Sequence, residues 1–170
     1  MADCPAVCPR EIAGLGLYEA PRVEDDEWVC RTVRPEDYNT KNALKPSFVS
    51  TTRLRAGELS AWRLPDLAKL SDLKDKLAAN GQAPDNILAV QADALRRIAI
   101  GTRSRCLSVI NDTRVDDEGG HDPQHIAIAP CADLMASSDP DLVTADLKVQ
   151  IRLVYRSTKA VALHPRPEAA

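Results

Sequence analysis

Hydrophobic and polar residues follow two different periods along this chain of 170 residues. A period of two, which is typical of β-strands, occurs in most of the apolar segments. It is clearest in 147–155, where Leu147, Val149, Ile151, Leu153 and Tyr155 fall on one face and Lys148, Gln150 and Arg152 on the other. We therefore predict strands over 28–34, 47–52, 58–64, 87–90, 106–110, 125–129, 147–155 and 161–163.

The second period, of three to four residues, predicts a helix over 66–80. Leucines recur at helical spacing in this segment, at Leu67, Leu70, Leu73 and Leu77. Asp66 is a typical N-terminal cap, and Asn80-Gly81 is a typical helix end. A shorter helix is predicted over 92–98, and 131–145 is predicted to be a loop or a short helix.

The predicted strands outnumber the helices, and regular helices do not separate them. This order favours an α+β fold with a mainly antiparallel or mixed sheet and a few helices. The chain contains neither a low-complexity linker nor an internal repeat. We therefore predict a single domain over 28–164, an N-terminal extension over 1–27 and a flexible tail over 165–170.

Bulk composition excludes several classes of protein. Apolar residues make up 44% and charged residues 28%, which is not the composition of a disordered chain. The formal net charge of −3 argues against a nucleic-acid partner. No apolar run reaches the roughly 20 residues of a membrane helix, and the N-terminus shows no secretory signal. We therefore expect no membrane partner and a cytoplasmic location, which the odd number of cysteines also favours.

A basic segment over 31–63 is the first candidate site. It holds seven basic and three acidic residues, a local charge of +4. Arginine binds phosphates and carboxylates with a planar fork, and hydroxyl groups can assist it. Arg31, Arg34, Ser50 and Thr51 are therefore candidate ligands for an anionic nucleotide. The alternative is a sheet edge whose charges are paired with one another.

The polar stretch 111–125 is the second candidate site. It contains His121 and His125, and long polar loops are often functional. The two histidines have the spacing of a helical zinc pair, but Pro123 between them argues against a helix, so no metal site is predicted. His125 enters a predicted strand and is a candidate proton-transfer residue. The alternative is an imidazole that is hydrogen-bonded to the nearby backbone.

The order of several short motifs resembles that of a known group. These motifs are Cys30-Arg31-Thr32-Val33-Arg34-Pro35, Phe48-Val49-Ser50-Thr51-Thr52, Gly57-Glu58-Leu59-Ser60-Ala61-Trp62 and Asp122-Pro123-Gln124-His125-Ile126-Ala127-Ile128. The layout is similar to that of small bacterial proteins that are loosely similar to RES-type toxins. The resemblance implies an ADP-ribosyltransferase-like fold that acts on NAD. The Gly-Arg-Trp-Asn signature of RES proteins is absent.

Two hypotheses of function follow. In the first, the chain is a non-catalytic interaction or accessory module of a bacterial multi-gene system for conflict or defence. A partner encoded nearby would dock on the helix 66–80 or on the segment 147–155.

In the second hypothesis, which the resemblance implies, the chain is an NAD-utilising ADP-ribosyltransferase-like enzyme or NAD glycohydrolase. Arg31 and Arg34 would then hold the diphosphate, and Ser50 and Thr51 would orient the nicotinamide ribose or amide. Glu58 or His125 would stabilise the oxocarbenium-like state or transfer a proton. This hypothesis requires Arg31, Ser50 and His125 to share one cleft.

Overall fold

The fold is given by a computed structural model that describes residues 8–14, 21–112, 114–115 and 121–165. The predictions for Cys4, for the acidic part of the polar stretch at 116–118 and for the tail beyond Pro165 lie outside these residues, as does the side chain of His121. No helix in the described part is long and apolar enough to cross a membrane.

A six-stranded antiparallel sheet forms the centre of the molecule, which confirms the predicted α+β class. Its strands are β1 (Trp28–Val33), β2 (Leu59–Leu64), β3 (Asn86–Gln91), β4 (Leu107–Asn111), β7 (His125–Pro130) and β8 (Val161–Ala162). Their spatial order is β4-β7-β2-β1-β3-β8. A separate two-stranded ribbon consists of β5 (Arg114–Val115) and β6 (His121–Asp122).

Helices cover both faces of the sheet and create two cores. The larger core receives side chains from α2 (Thr51–Ala56), α4 (Ala92–Arg96), α5 (Ala132–Ser137) and α6 (Pro140–Arg156). The smaller core lies on the other face under α3 (Leu70–Ala79), which buries the leucines that predicted it, Leu70, Leu73 and Leu77. Asp66 accepts a hydrogen bond from the Ala68 N–H in the 3₁₀ turn that precedes α3.

Alternation along the central strands assigns each residue to one of these faces. On β1, Val29 and Val33 lie in the larger core, whereas Cys30 lies in the smaller core. Arg31 stands between the two valines and therefore points to the larger core. On the neighbouring strand, Trp62 lies in the smaller core.

The predicted strand over 147–155 is wrong, because this segment is part of the 17-residue helix α6. Asp139 caps the helix by accepting hydrogen bonds from two N–H groups of the first turn, and Pro140 is its first residue. The buried positions recur mainly every four residues, at Val143, Thr144, Leu147, Ile151 and Tyr155. Val149 and Leu153, which lie between them in the sequence, point outward. The alternation therefore arises because apolar residues occupy both the buried and the exposed face of the helix.

The predicted strand over 47–52 is also wrong. A 3₁₀ turn (Pro46–Phe48) is followed by α2, which the Ser50 hydroxyl caps by accepting a hydrogen bond from the Arg53 N–H. Gly57 ends α2 with a φ of 73°, and a Cβ at this position would lie 3.0 Å from the Arg10 guanidinium. Capping and this close approach therefore override the strand preference of the Ser/Thr-rich sequence.

Two arginines, one buried and one partly buried, hold the segment 21–27 against the sheet. Arg63 on β2 forms an ion pair with Glu27 and also donates to the Pro21 and Arg22 carbonyl oxygens. Arg96 on α4 donates to the Val23 carbonyl oxygen and to both carboxylate oxygens of Glu11.

Glu11 lies in the short helix α1 (Pro9–Ala13) and also protects the edge of the sheet. Its carboxylate accepts a hydrogen bond of 2.8 Å from the Val109 N–H of β4, the edge strand. Residues from the predicted N-terminal extension thus contribute to the interior of the domain, while the predicted boundary at residue 28 stays a prediction.

Candidate functional site

Arg31 is a partly buried guanidinium that binds backbone carbonyl groups. Its two terminal nitrogens each donate at 2.7 Å, to the Ser60 and Phe48 carbonyl oxygens, and the group stacks on the Phe48 ring at 4.8 Å. Its Nε atom is buried and has no hydrogen-bond partner among the described residues. Burial lowers the pKa of Arg31, and the nearby Tyr155 and Asp37 oppose this shift.

Ser50 and Thr51 follow Phe48, whose carbonyl oxygen Arg31 binds, by two and three residues. The Ser50 hydroxyl caps α2, and the Thr51 hydroxyl accepts a hydrogen bond of 3.0 Å from Lys148 on α6. Arg34 lies further along the sheet, where its exposed side chain is 3.9 Å from Glu36. Arg31, Ser50 and Thr51 therefore surround one turn of the chain, and Arg34 points away into solvent.

Most other cations of the basic segment have a bonded partner. Glu58, a candidate catalytic residue, is an exposed carboxylate that binds Arg53 at 3.1 Å. Lys45 donates to the Glu36 carbonyl oxygen, and Arg55 forms an ion pair with Asp141. The local charge of +4 therefore consists largely of paired groups, as the alternative reading of this segment anticipates.

His125 is buried beside an acid and an indole. Its Nδ1 atom lies 2.7 Å from the Asp112 carbonyl oxygen and 3.3 Å from the Asp112 carboxylate. The Trp62 ring meets the imidazole edge to face, with centroids 5.7 Å apart. Because a carbonyl oxygen only accepts, Nδ1 carries the proton and Nε2 is the basic atom of the neutral ring. The imidazole is 6% exposed and is bonded to the nearby backbone, as the structural alternative anticipates.

Arg31 and His125 lie on opposite faces of the sheet. Arg31 stacks on Phe48 in the larger core, whereas His125 stacks on Trp62 in the smaller core. The sheet backbone therefore separates the two side chains. Arg31 contacts the turn that precedes Ser50 and Thr51, whose hydroxyl groups bind Arg53 and Lys148, and His125 lies on the other face.

A cleft of about 400 Å³ opens at the C-terminal end of α6, on the larger-core side of β3 and β8. Its wall is mostly apolar and includes Leu44, Leu88 and Ala162, with Tyr38 and Asn86 as polar neighbours. The side-chain amide of Asn86 is already hydrogen-bonded, since it accepts from the N–H of His164 and donates to its carbonyl oxygen. None of the predicted site residues lines this cleft.

The outward face of α6 carries a line of exposed aliphatic side chains that we call the apolar stripe: Leu142, Val149 and Leu153. They are 68%, 44% and 47% exposed. At 100° per residue these side chains point within about 40° of one another. The spacing of seven and four residues is that of a helix that packs on another helix. Sequence reasoning missed this face because it placed Val149 and Leu153 on a strand and Leu142 in a loop or a short helix, although the Asp139-Pro140 cap was a signal for a longer helix.

A basic row runs beside the stripe, formed by Lys148, Arg152 and Arg156 at intervals of four residues. Within the described residues, Lys148 and Arg152 have no carboxylate partner. The Nε atom of Arg152 is buried and makes no hydrogen bond. The apolar stripe and the basic row together form the most distinctive surface of α6.

The described residues contain neither a metal site nor an activated cysteine. No group of three or more His, Cys, Asp or Glu side chains there could hold a metal ion. Cys8, Cys30, Cys106 and Cys131 are buried. Burial raises the pKa of Cys30 from its usual value to about 12, so its reactive thiolate form is suppressed.

Comparison of the chain with family models, with curated proteins and with solved structures finds no match. The similarity to RES-type toxins and the NAD-utilising activity that it implies therefore stay predictions.

Proposed function

We propose that the chain is a protein-interaction module that docks a partner protein through the outward face of α6. The observation that carries this proposal is the apolar stripe of Leu142, Val149 and Leu153, aligned on one side of a 17-residue helix. Exposed aliphatic residues scattered over a surface are ordinary, but an aligned group on a helix is typical of an interaction surface. Its burial against a partner supplies a favourable hydrophobic term.

The placement of the candidate catalytic residues also favours a binding role. Glu58 is paired on the surface, and His125 is enclosed on the face of the sheet opposite Arg31. A partner encoded nearby, within a bacterial conflict or defence system, is the finer form of this proposal. Release of nicotinamide from NAD by the purified chain would instead support the enzymatic alternative.

Site-specific photo-crosslinking in the cells that produce the chain tests the docking role. A photoreactive residue at position 149 is expected to give a discrete protein adduct, because the partner covers this side chain. The matched control is position 78 on α3, since Ala78 is an exposed aliphatic position on a different helix. Substitution of Leu142 and Leu153 by Asp is expected to abolish the adduct. Absence of an adduct at 149, or the same adducts from both positions, would overturn the proposal.

A further inference from the structure

We infer that the partner segment that docks on α6 is an acidic amphipathic helix, an inference that rests on the proposed function. The charge along the C-terminal part of the chain is the first argument. Residues 147–165 contain four basic and no acidic residues, in a chain whose net charge is −3. This local excess is uncompensated within its own segment and flanks the apolar stripe.

The contrast with other surface arginines is the second argument. Arg53 and Arg97 bind Glu58 and Asp93 at 3.1 and 2.8 Å, and each pair lies on the surface. Lys148 donates only to the Thr51 hydroxyl, and the buried Nε of Arg152 donates to no acceptor in the described part of the chain. Lys148 and Arg152 therefore have no carboxylate among the described residues, and carboxylates supplied from outside would form charge-assisted hydrogen bonds with these two cations.

The geometry of the row indicates the shape of the ligand. Basic side chains four residues apart on one helix are separated by about 6 Å along its axis. A partner helix with carboxylates at the same interval and an aliphatic line beside them matches both features at once. A nucleic-acid backbone would match the charges but would leave the aliphatic stripe in water.

A second copy of the chain fits this surface poorly. In a two-fold antiparallel pair of α6 helices, the same flank of each helix meets its equivalent, so the two basic rows would face each other. On the outward side of α6 the available carboxylates are Asp146 and Asp141, and Asp141 already binds Arg55. Like charges at such an interface oppose association, which favours a different chain with acidic residues over a second copy.

The test measures how tightly two synthetic helical peptides bind to the full-length chain. Both carry the same Leu pattern, and they differ only in having Glu or Lys on the flanking positions. Fluorescence anisotropy is expected to show binding of the Glu peptide that is on the order of tenfold tighter at low ionic strength, and the preference is expected to shrink with salt. Equal binding of the two peptides, or binding of neither, would overturn the inference.

Charge-reversal variants make the result specific to α6. Lys148→Glu with Arg152→Glu is expected to reverse the preference toward the Lys peptide, whereas Lys41→Glu, at an exposed cation far along the chain, is expected to leave it unchanged. Val149→Asp is expected to weaken binding of both peptides. Thermal unfolding and circular dichroism verify that each variant is folded. A reversal that does not occur in the folded double variant contradicts the inference.

Two further outcomes separate the inference from the proposed function. If the adduct at position 149 forms in cells but the Glu peptide shows no preference, the docking role stands and the acidic partner is wrong. If no adduct forms at α6, the docking role itself is contradicted. Tighter binding to phosphatidylglycerol vesicles or to duplex RNA than to the Glu peptide would also overturn the acidic-helix partner.

Discussion

Arg31 shows how a residue with the chemistry of a ligand site can serve the fold instead. Its guanidinium joins the Phe48 and Ser60 carbonyl oxygens, and so connects the turn before α2 to β2. The charge has no carboxylate partner among the described residues, and burial lowers its pKa. Two charge-assisted hydrogen bonds and the contact with the Phe48 ring offset this desolvation.

Substitution Arg31→Met tests the structural role. It retains an apolar stem and removes both donors, so we expect the free energy of unfolding to fall by about 2–4 kcal/mol. Urea unfolding followed by tryptophan fluorescence measures the change, with Arg34→Met as an exposed control that should change little. NAD or ADP should leave the melting temperature of the wild type unchanged. A clear rise in melting temperature on adding NAD, lost in Arg31→Met, would favour the nucleotide site.

Cys30 makes stability depend on alkaline pH. Its pKa is raised to about 12 by burial, whereas the unfolded thiol has its ordinary pKa near 8.5. Between these values the unfolded chain binds fewer protons than the folded chain, so stability falls as pH rises. We expect Cys30 to contribute a loss of up to about 1.4 kcal/mol per pH unit in this window. Urea unfolding from neutral to alkaline pH should show a shallower loss in Cys30→Ala, and identical slopes would contradict this expectation.

At the level of elements, the sequence predicts the sheet better than the helices that cover it. The strands β1, β2, β3 and β7 are buried on both faces and are bounded by Pro, Gly or turn residues, so their apolar runs locate them. In α6 the same apolar residues satisfy both periods, because Leu147, Ile151 and Tyr155 are four apart and Val149 and Leu153 fill the gaps. Only the Asp139-Pro140 cap distinguishes the helix, and it lies within the segment 131–145 that is predicted to be a loop or a short helix.

Two alanine substitutions separate the helix from the strand. In the helix Ile151 is fully buried and Val149 is 44% exposed, whereas a strand would place both on the same face. We expect Ile151→Ala to reduce the free energy of unfolding by about 2–5 kcal/mol and Val149→Ala to change it by about 0.5 kcal/mol or less. Chemical denaturation of both variants measures this difference. Similar losses at the two positions would contradict the helical assignment.

The candidate sites depend on contacts that no local pattern contains. Arg63 and Glu27 are 36 positions apart, and Arg96 and Glu11 are 85 positions apart. Their pairing follows from the sheet order and the packing of α1 and α4. For the same reason, the sequence could place Arg31 and His125 on strands but could not show that they face opposite sides of the sheet.

At the scale of the whole molecule, the two basic segments of the sequence differ in how many of their cations are paired. The segment 31–63 carries +4, but ion pairs and carbonyl contacts use most of its cations. The segment 147–165 also carries four cations and no acid, and here Lys148 and Arg152 lack carboxylates within the described part. A local charge count therefore locates a binding surface only after the paired residues are known.

The contribution of the N-terminal residues gives a prediction for the whole molecule. A chain without residues 1–27 loses Glu11, Val23 and Glu27, and with them the carboxylates that pair with Arg63 and Arg96. Breaking a buried ion pair costs about 3–5 kcal/mol, and domains of this kind are stable by about 5–15 kcal/mol in total.

We therefore expect the chain that begins at residue 28 to lose cooperative unfolding, whereas a chain without residues 1–7 should retain it. Thermal unfolding by circular dichroism compares the two. The double variant with Glu11→Gln and Glu27→Gln isolates the ion pairs, since it removes both charges and keeps every residue of the segment. It should unfold at a lower temperature than the wild type. If the chain from residue 28 unfolds as cooperatively and at the same temperature as the wild type, 1–27 is a dispensable extension and the two arginines do not need their carboxylates.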